Sequence, residues 1–502
     1  MRKFLASLSF AAIAAASLFG QTPKPAPTAV VLAKPSYKVP YVTKTLANGL
    51  EVIVLPDSSV PLVTVELAVR NGSFTEPPEL NGLSHLYEHM FFKSNKAIEM
   101  IRCDMAAKSS APEAGQYFRA KGCEQLRTSL KQQIGDTSYL YSLDGVGVSP
   151  NGTTQEEYVN YYRTAVSSNV ELVLHGLRDA MLYPSFDEDE FKQEIQVVIG
   201  ELDRHESEPF FYLDRTMMDK LYYKYPSRKS PGGTRETVAS ATTDKMRLIQ
   251  SRYYVPNNTA LLITGDVNPD NAFALADKYF SGWKRGEDPF IKFPMVDHPA
   301  LPKSEGVVVT QDIEAAAIQI GWHGPSIGKD NAGTYAADVF SFIVEQPNSR
   351  LQRAIVDSGL AVSVDVNYYT QRNVGPIRIS MVTSPDKAKA AAAALYNEIS
   401  HFTDKDYFTD EELANAKTLV ESRDLFSREK LSDYTHVLAF WWSSTGTDYY
   451  KGYYDNLRAI NRTDINKYIT TYITGKPHIA VALMSADGKS KANLTEADLI
   501  GK

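Results

Sequence analysis

Apolar residues along the first quarter of the chain come in short blocks punctuated by glycine turns. Residues 42–46 and 50–55 flank Asn48-Gly49, a pattern that predicts a tight β-hairpin, because such a turn needs residues that tolerate positive φ. Residues 61–69 read as a further strand closed by Asn71-Gly72, and a short helix follows over 83–92. Residues 170–183 and 187–205 read as helices, the second capped by Ser185 or Asp187. Residues 260–264 form a strand ending in Gly265-Asp266. Residues 283–302 are polar, lack a period and carry Pro289, Pro294, Pro299 and Pro302, which predicts a linker. Beyond it the order repeats, with strands at 307–310 and 317–322, a helix near 336–346, strands near 361–369 and 377–382, then helices. Strand blocks followed by helix blocks, twice over, predict an α+β fold.

A chain of 502 residues has room for two or three domains, and 43% hydrophobic with 23% charged residues excludes wholesale disorder. The balance of 53 basic against 60 acidic residues, net −7, offers no basic face for non-specific nucleic-acid binding. Two cysteines, Cys103 and Cys123, can build neither a disulfide scaffold nor a cysteine-only zinc site.

Arg2 and Lys3 precede an apolar stretch over 4–19 and then Gly20-Gln21, which reads as a secretory signal over 1–20. The stretch falls short of the roughly 20 residues that span a bilayer, and no later run is long enough to span. The absence of a cysteine near its end argues against a lipoprotein. The expected location is a bacterial periplasm. Sequons at Asn71, Asn151, Asn257, Asn461 and Asn493 leave a eukaryotic secreted protein open. Residues 21–40, with Pro23, Pro25, Pro27, Pro35 and Pro40, read as an extended leader. The expected organisation is therefore signal 1–20, leader 21–40, a first domain 41–284, linker 285–303 and a second domain 304–502.

The chemistry is concentrated in His85-Leu86-Tyr87-Glu88-His89, an inverted zincin pattern. On a helix His85 and His89 share one face, a turn apart, and can reach one zinc ion. Glu88 projects beside them and can take a proton from water that the metal acidifies. A catalytic zinc needs a third protein ligand, and Glu194 and Glu201, two turns apart on one helix face, are the candidates. One can ligate while the other orients a ligating histidine. Spacing alone leaves open which does which. His205 is a weaker candidate, since it leaves the paired glutamates without a use.

These motifs resemble the pitrilysin/insulinase family of zinc peptidases, and in particular its two-domain group with the mitochondrial processing peptidase and its bacterial relatives. Residues 82–93 are similar to the family's zinc helix. Asn151-Gly152-Thr153-Thr154 with Tyr161-Tyr162 is similar to its Asn-Ala-x-Thr strand, and residues 194–201 to its paired-glutamate helix. Gly233-Thr234, Tyr254 to Asn258, Ser349-Arg350-Leu351 and Gly359-Leu360-Ala361 match later landmarks. The resemblance implies two homologous α/β sandwich domains with mainly antiparallel sheets, forming half of a clamshell. It implies one Zn²⁺ per chain on His85, His89 and Glu201, with Glu88 as base and Glu194 in support. It also implies a peptide substrate paired as an extended strand near residues 148–151, engaging Asn151 and Gly152.

Two departures stand out. Residues 94–139, which hold both cysteines, form an insertion. Cys103 and Cys123, close in sequence and in an oxidising compartment, are expected to be bonded. The family's Arg and Tyr near Gly359-Leu360-Ala361 are replaced by Ile355 and Val362, with Arg353 two residues off the first position. This predicts a heterodimer with a homologous, zinc-free subunit that supplies the missing pair. The alternative is a homodimer or monomer using Arg353, Tyr368 or Tyr369 instead. The expected activity is exported zinc endopeptidase. A non-catalytic envelope scaffold and a dedicated maturase of one peptide are the rival readings. The cluster Phe440-Trp441-Trp442 with Tyr449, Tyr450, Tyr453 and Tyr454 reads as core or interface packing.

Overall fold

The computed structural model describes residues 40–143 and 149–502. The signal segment, the leader up to residue 39, and Val148 at the start of the expected substrate edge lie outside the described residues.

The first sheet has six strands: β1 Val42–Thr45, β2 Glu51–Pro56, β3 Leu62–Val69, β4 Ser149–Thr154, β5 Val159–Val166 and β6 Thr259–Gly265. Their order is β1-β2-β6-β3-β5-β4, antiparallel except for β2 with β6. The second sheet has five: β7 Glu305–Thr310, β8 Ala316–His323, β9 Ser363–Tyr368, β10 Pro376–Thr383 and β11 Ile479–Met484. Its order is β7-β11-β8-β10-β9, antiparallel except for β7 with β11. Apart from the extra strand β1 the two sheets follow one plan, in which β4 corresponds to β9. This is a two-domain α+β fold with mainly antiparallel sheets.

The helices that bear on the site are α1 Leu83–Phe91, α2 Lys96–Lys108, α3 Pro112–Ala120, α4 Cys123–Ile134, α5 Tyr139–Leu143, α6 Val170–Leu182, α7 Glu188–Glu206, α8 Phe211–Leu221 and α9 Leu431–Ser444. Strand alternation sends Val63, Val65, Leu67 and Val69 to one face of the first sheet. There they meet Leu83, Leu86, Tyr87, Met90 and Phe91 of α1 and Val173, Leu174 and Leu177 of α6. Phe91 stacks on Tyr161 of β5 at 3.8 Å between centroids. Burying each such side chain is worth about 1.5–3 kcal/mol, so α1 is anchored by its apolar stripe and its polar face is left for chemistry.

The opposite face of the first sheet is polar and is covered by a helix from the second half of the chain. Thr64 and Thr164 share a hydrogen bond at 2.9 Å, and Thr264 meets Thr435 of α9 at 2.5 Å. Glu66, wholly buried, accepts from His436 Nδ1 at 2.6 Å and from Asn160 Nδ2 at 2.7 Å. In return α8, from the first half, lies on the second sheet, with Leu213, Met217 and Leu221 packed among Ala317, Val481 and Leu483. The two halves thus exchange helices. Trp442, Tyr450, Tyr453 and Tyr454 of the aromatic cluster are buried.

Burial alone would lower the His436 pKa, but the bonded Glu66 carboxylate offsets this, with help from Asp433 and against Lys430, and the net shift is upward. A raised folded-state pKa adds stability below the unfolded value of about 6.5, and this is lost as the pH rises through the folded value. The Tm difference between wild type and His436→Gln is therefore expected to be widest below about pH 6 and to narrow on the alkaline side. A difference that stays constant across that range contradicts the pairing.

Local departures from the sequence reading have simple causes. Asp187 caps α7 by accepting from Asp189 N and Glu190 N, whereas Ser185 donates to Ser94 O. The helix expected from residue 336 starts at Asn331, because Asp330 caps it by accepting from Gly333 N. The proline-rich linker contains a one-turn helix, Pro289–Lys292, capped by Asp288. Residues 94–139 contain α2, α3, α4 and the start of α5, packed about Ala97, Met100 and Ile134, with Cys103 joined to Cys123 by a disulfide. Lys121 from this segment pairs with the α7 cap, Asp187.

Candidate metal centre and cleft

The entry to α1 is built on a buried carboxylate. Glu76 accepts from Gly82 N at 2.8 Å and Ser84 N at 2.6 Å, with Asn81 Nδ2 at 3.4 Å. Burial pushes the Glu76 pKa up to about 7 against these bonds, and its oxygens satisfy otherwise unpaired N–H groups at the helix start. Gly82, at φ 87, lies against Gly233, and a Cβ at position 82 would come within 2.7 Å of the Gly233 Cα. The start of α1 is therefore locked to the 230–233 loop.

With the apolar stripe of α1 fixed, His85 and His89 turn toward α7. That helix buries Phe191, Ile195 and Val198 and presents Glu194 and Glu201 to α1. Glu201 Oε2 lies 3.6 Å from His85 Nε2 and 3.5 Å from His89 Nε2. Ligand atoms of His85, His89 and Glu201 all fall within 4.8 Å of one another, the one such group among the described residues. Donors bound tetrahedrally to zinc at about 2.0–2.1 Å sit roughly 3.4 Å apart, so the two imidazoles and the carboxylate fit a zinc ion. Glu194 takes a different position. Its Oε2 accepts from His89 Nδ1 at 3.0 Å and its Oε1 pairs with Lys93 Nζ at 2.5 Å. A proton held on Nδ1 leaves the Nε2 lone pair of His89 free toward Glu201. Burial, with His89 and His205 nearby, pushes the His85 pKa down to about 3, so its ring is neutral at ordinary pH. Neutral imidazole is the form that binds metal.

Glu88 faces the edge strand. Its Oε2 accepts from Thr154 Oγ1 at 2.9 Å. Gly152 leaves room for it, since a Cβ there would stand 3.0 Å from both Cγ and Oε1 of Glu88. Burial, aided by the nearby Glu201, raises the Glu88 pKa to about 7 against the opposing effects of Thr154 and His89. A cleft of about 710 Å³ opens beside these groups, lined by His85, Thr154, Glu201, Phe211, Met218 and Lys229 among others. His205 lines it too but lies outside the three-residue group.

Asn151 and Gly152 lie on β4, which stands at the edge of the sheet and pairs with β5 alone among the described strands. Ile355 is wholly buried, so no longer cationic side chain would fit in its place, while Val362 is 77% exposed. Arg353 belongs to a separate small pocket with Asn348 and Asp406. The Tyr368 hydroxyl donates to Pro325 O at 2.9 Å, and Tyr369 stacks on Phe440 at 6.1 Å. Among the described residues, none of Arg353, Tyr368 and Tyr369 lines the cleft. The sequence reading missed Glu76, whose position seven residues before the helix start is a weak signal, and gave Thr154 no role of its own.

Comparison with known proteins agrees with this geometry. The profile of the family described as Insulinase (Peptidase family M16) matches residues 52–106 and 126–230, and that of Peptidase M16 inactive domain matches residues 240–420. The zinc protease YmxG of Bacillus subtilis is 24% identical over 388 residues, covering 77% of this chain and 84% of that protein. A protease from Helicobacter pylori has the same fold at TM-score 0.73 and 21% identity, over 88% of this chain and 99% of that one. The periplasmic protease PqqL from Escherichia coli aligns at TM-score 0.66 and 17% identity, over 92% of this chain and 49% of that one. Among the described residues no helix is long and apolar enough to cross a membrane.

Proposed function

This chain belongs to the insulinase family of peptidases (M16), and we propose that it is an exported zinc-dependent endopeptidase acting on peptides or unfolded segments laid along β4. The observation that carries this reading is the convergence of His85, His89 and Glu201 around one point, with Glu88 half-buried beside it and bonded to the edge strand. His85, His89 and Glu201 would hold the zinc, which when bound polarises a carbonyl and acidifies water. Glu194 fixes the tautomer and direction of His89. A substrate strand pairs with the outer edge of β4, so recognition runs through the backbone and tolerates many sequences. Glu88 takes the proton as the water oxygen attacks the carbonyl carbon, and gives it to the amine nitrogen as the C–N bond breaks. Export rests on the signal-like start of the sequence and agrees with the periplasmic neighbour.

The scissile region also needs groups that hold it in place. With Ile355 and Val362 where the family's pair would stand, and none of Arg353, Tyr368 and Tyr369 lining the cleft among the described residues, we assign that role to a homologous, zinc-free subunit. The zinc-loaded chain alone is expected to cleave peptides slowly, and a stoichiometric homologue is expected to restore the rate. Loss of this rescue when the homologue's Arg or Tyr is replaced supports the shared site. Full activity of an isolated monomer or homodimer, unchanged by the homologue, rejects it.

A further inference from the structure

The tip of the β9–β10 hairpin, residues 369–375, leaves the second sheet and lands on the β4–β5 turn of the first. Because β4 and β9 are counterparts, two equivalent turns meet. Glu157, buried in the β4–β5 turn, accepts from Arg372 N at 2.8 Å and Asn373 N at 3.1 Å. Lys229, also buried, donates to Gln371 Oε1 and, at 2.9 Å, to Asn373 O. The Tyr222 hydroxyl donates to Val374 O at 2.7 Å, and Val374 N donates to Ser326 Oγ at 2.9 Å. Val374 sits at φ 51, a left-handed conformation that a β-branched residue keeps only where its surroundings enforce it. Behind the tip, Arg372 donates to Ser443 O at 2.6 Å and Ser444 O at 2.7 Å. Buried charges such as Glu157 and Lys229 are costly unless hydrogen-bonded, and the tip supplies those bonds.

None of these groups takes part in the chemistry described above, yet they stand close to it. Glu157 is three residues from Thr154, whose hydroxyl holds Glu88. Among the described strands β4 pairs with β5 alone, and the turn at its end is held from two sides: by Phe74 N donating to Glu156 O at 2.8 Å within the first half, and by the hairpin tip. We propose that the hairpin tip is a positioning device for the base: by seating Glu157 and Lys229 it fixes the β4–β5 turn and, through Thr154, the Glu88 carboxylate. The second half of the chain is thereby part of the active site. This rests on the reading of the chain as a peptidase with Glu88 as base.

The test compares wild type, Glu157→Gln and Gln371→Ala, each zinc-loaded and with the homologous subunit where one is required. Glu157→Gln replaces one acceptor oxygen by an amide that opposes an N–H of the tip. The expected result is a kcat lowered about tenfold with KM within about twofold and zinc content unchanged, since small misplacement of a reacting group costs rate rather than binding. Gln371→Ala, which acts from the other side, is expected to show the same split in smaller measure. It decides the matter if Glu157→Gln does not fold. In the zinc-free proteins, backbone hydrogen exchange across residues 149–158 is expected to quicken in both variants. Wild-type kcat and wild-type exchange, with only a lower Tm, overturn the proposal. Should wild type itself cleave nothing, the peptidase reading fails, and the exchange data still decide whether the tip fixes the turn.

Discussion

Glu88→Gln is expected to retain one zinc per chain and to lose about 10²–10⁴-fold in turnover, the usual range for removing a general acid–base group. The amide is nearly isosteric with the carboxylate, so it still fits beside Gly152 and can still accept from Thr154 Oγ1. What it cannot do is take a proton. Because the three metal-facing donors come from His85, His89 and Glu201, zinc content is expected to stay the same. Peptide hydrolysis measured with zinc content on the same sample checks both halves of the expectation. Near-normal hydrolysis with one zinc bound would falsify the assignment of Glu88.

The second large effect separates the two glutamates of α7. Glu201→Gln removes the anionic donor that lies 3.6 and 3.5 Å from the two imidazole nitrogens, and zinc affinity is expected to fall by more than about 10²-fold. Glu194→Gln leaves those three donors in place and disturbs the Nδ1 side of His89, for an expected loss of about 10–100-fold. Zinc competition with a chelator of known affinity ranks the two variants. The reverse ranking assigns the ligand to Glu194.

Much of this site could be read in the sequence because its parts are local. His85, Glu88 and His89 share one turn of helix, and Glu194 and Glu201 share one face of another, so spacing alone brings each set together. The hairpin at Asn48-Gly49 and the strand–helix order of each half are local in the same sense. Which glutamate faces the metal was not legible from spacing, because both lie on the same face; it depends on the crossing of α7 over α1. The exchange of α8 and α9 between the halves lies beyond periodicity, which shows that a helix has an apolar face but not which sheet covers it. Glu76, Glu157 and Lys229 belong to no motif, and residues of their kind are usually exposed. Their burial depends on backbone partners far away in the chain. The four helices between residues 96 and 143 pack about a small core of their own, Ala97, Met100 and Ile134, and no motif marks them.

The most direct test of the central claim is metal removal and reconstitution, followed by mass spectrometry of an unstructured peptide mixture. The assay uses the zinc-loaded chain together with the proposed homologous subunit. The account predicts one zinc per chain, cleavage at internal peptide bonds, loss of cleavage when the metal is stripped, and recovery with one equivalent of zinc. Cleavage that survives metal removal contradicts it, as does a fully zinc-loaded chain that cleaves nothing with any homologous partner.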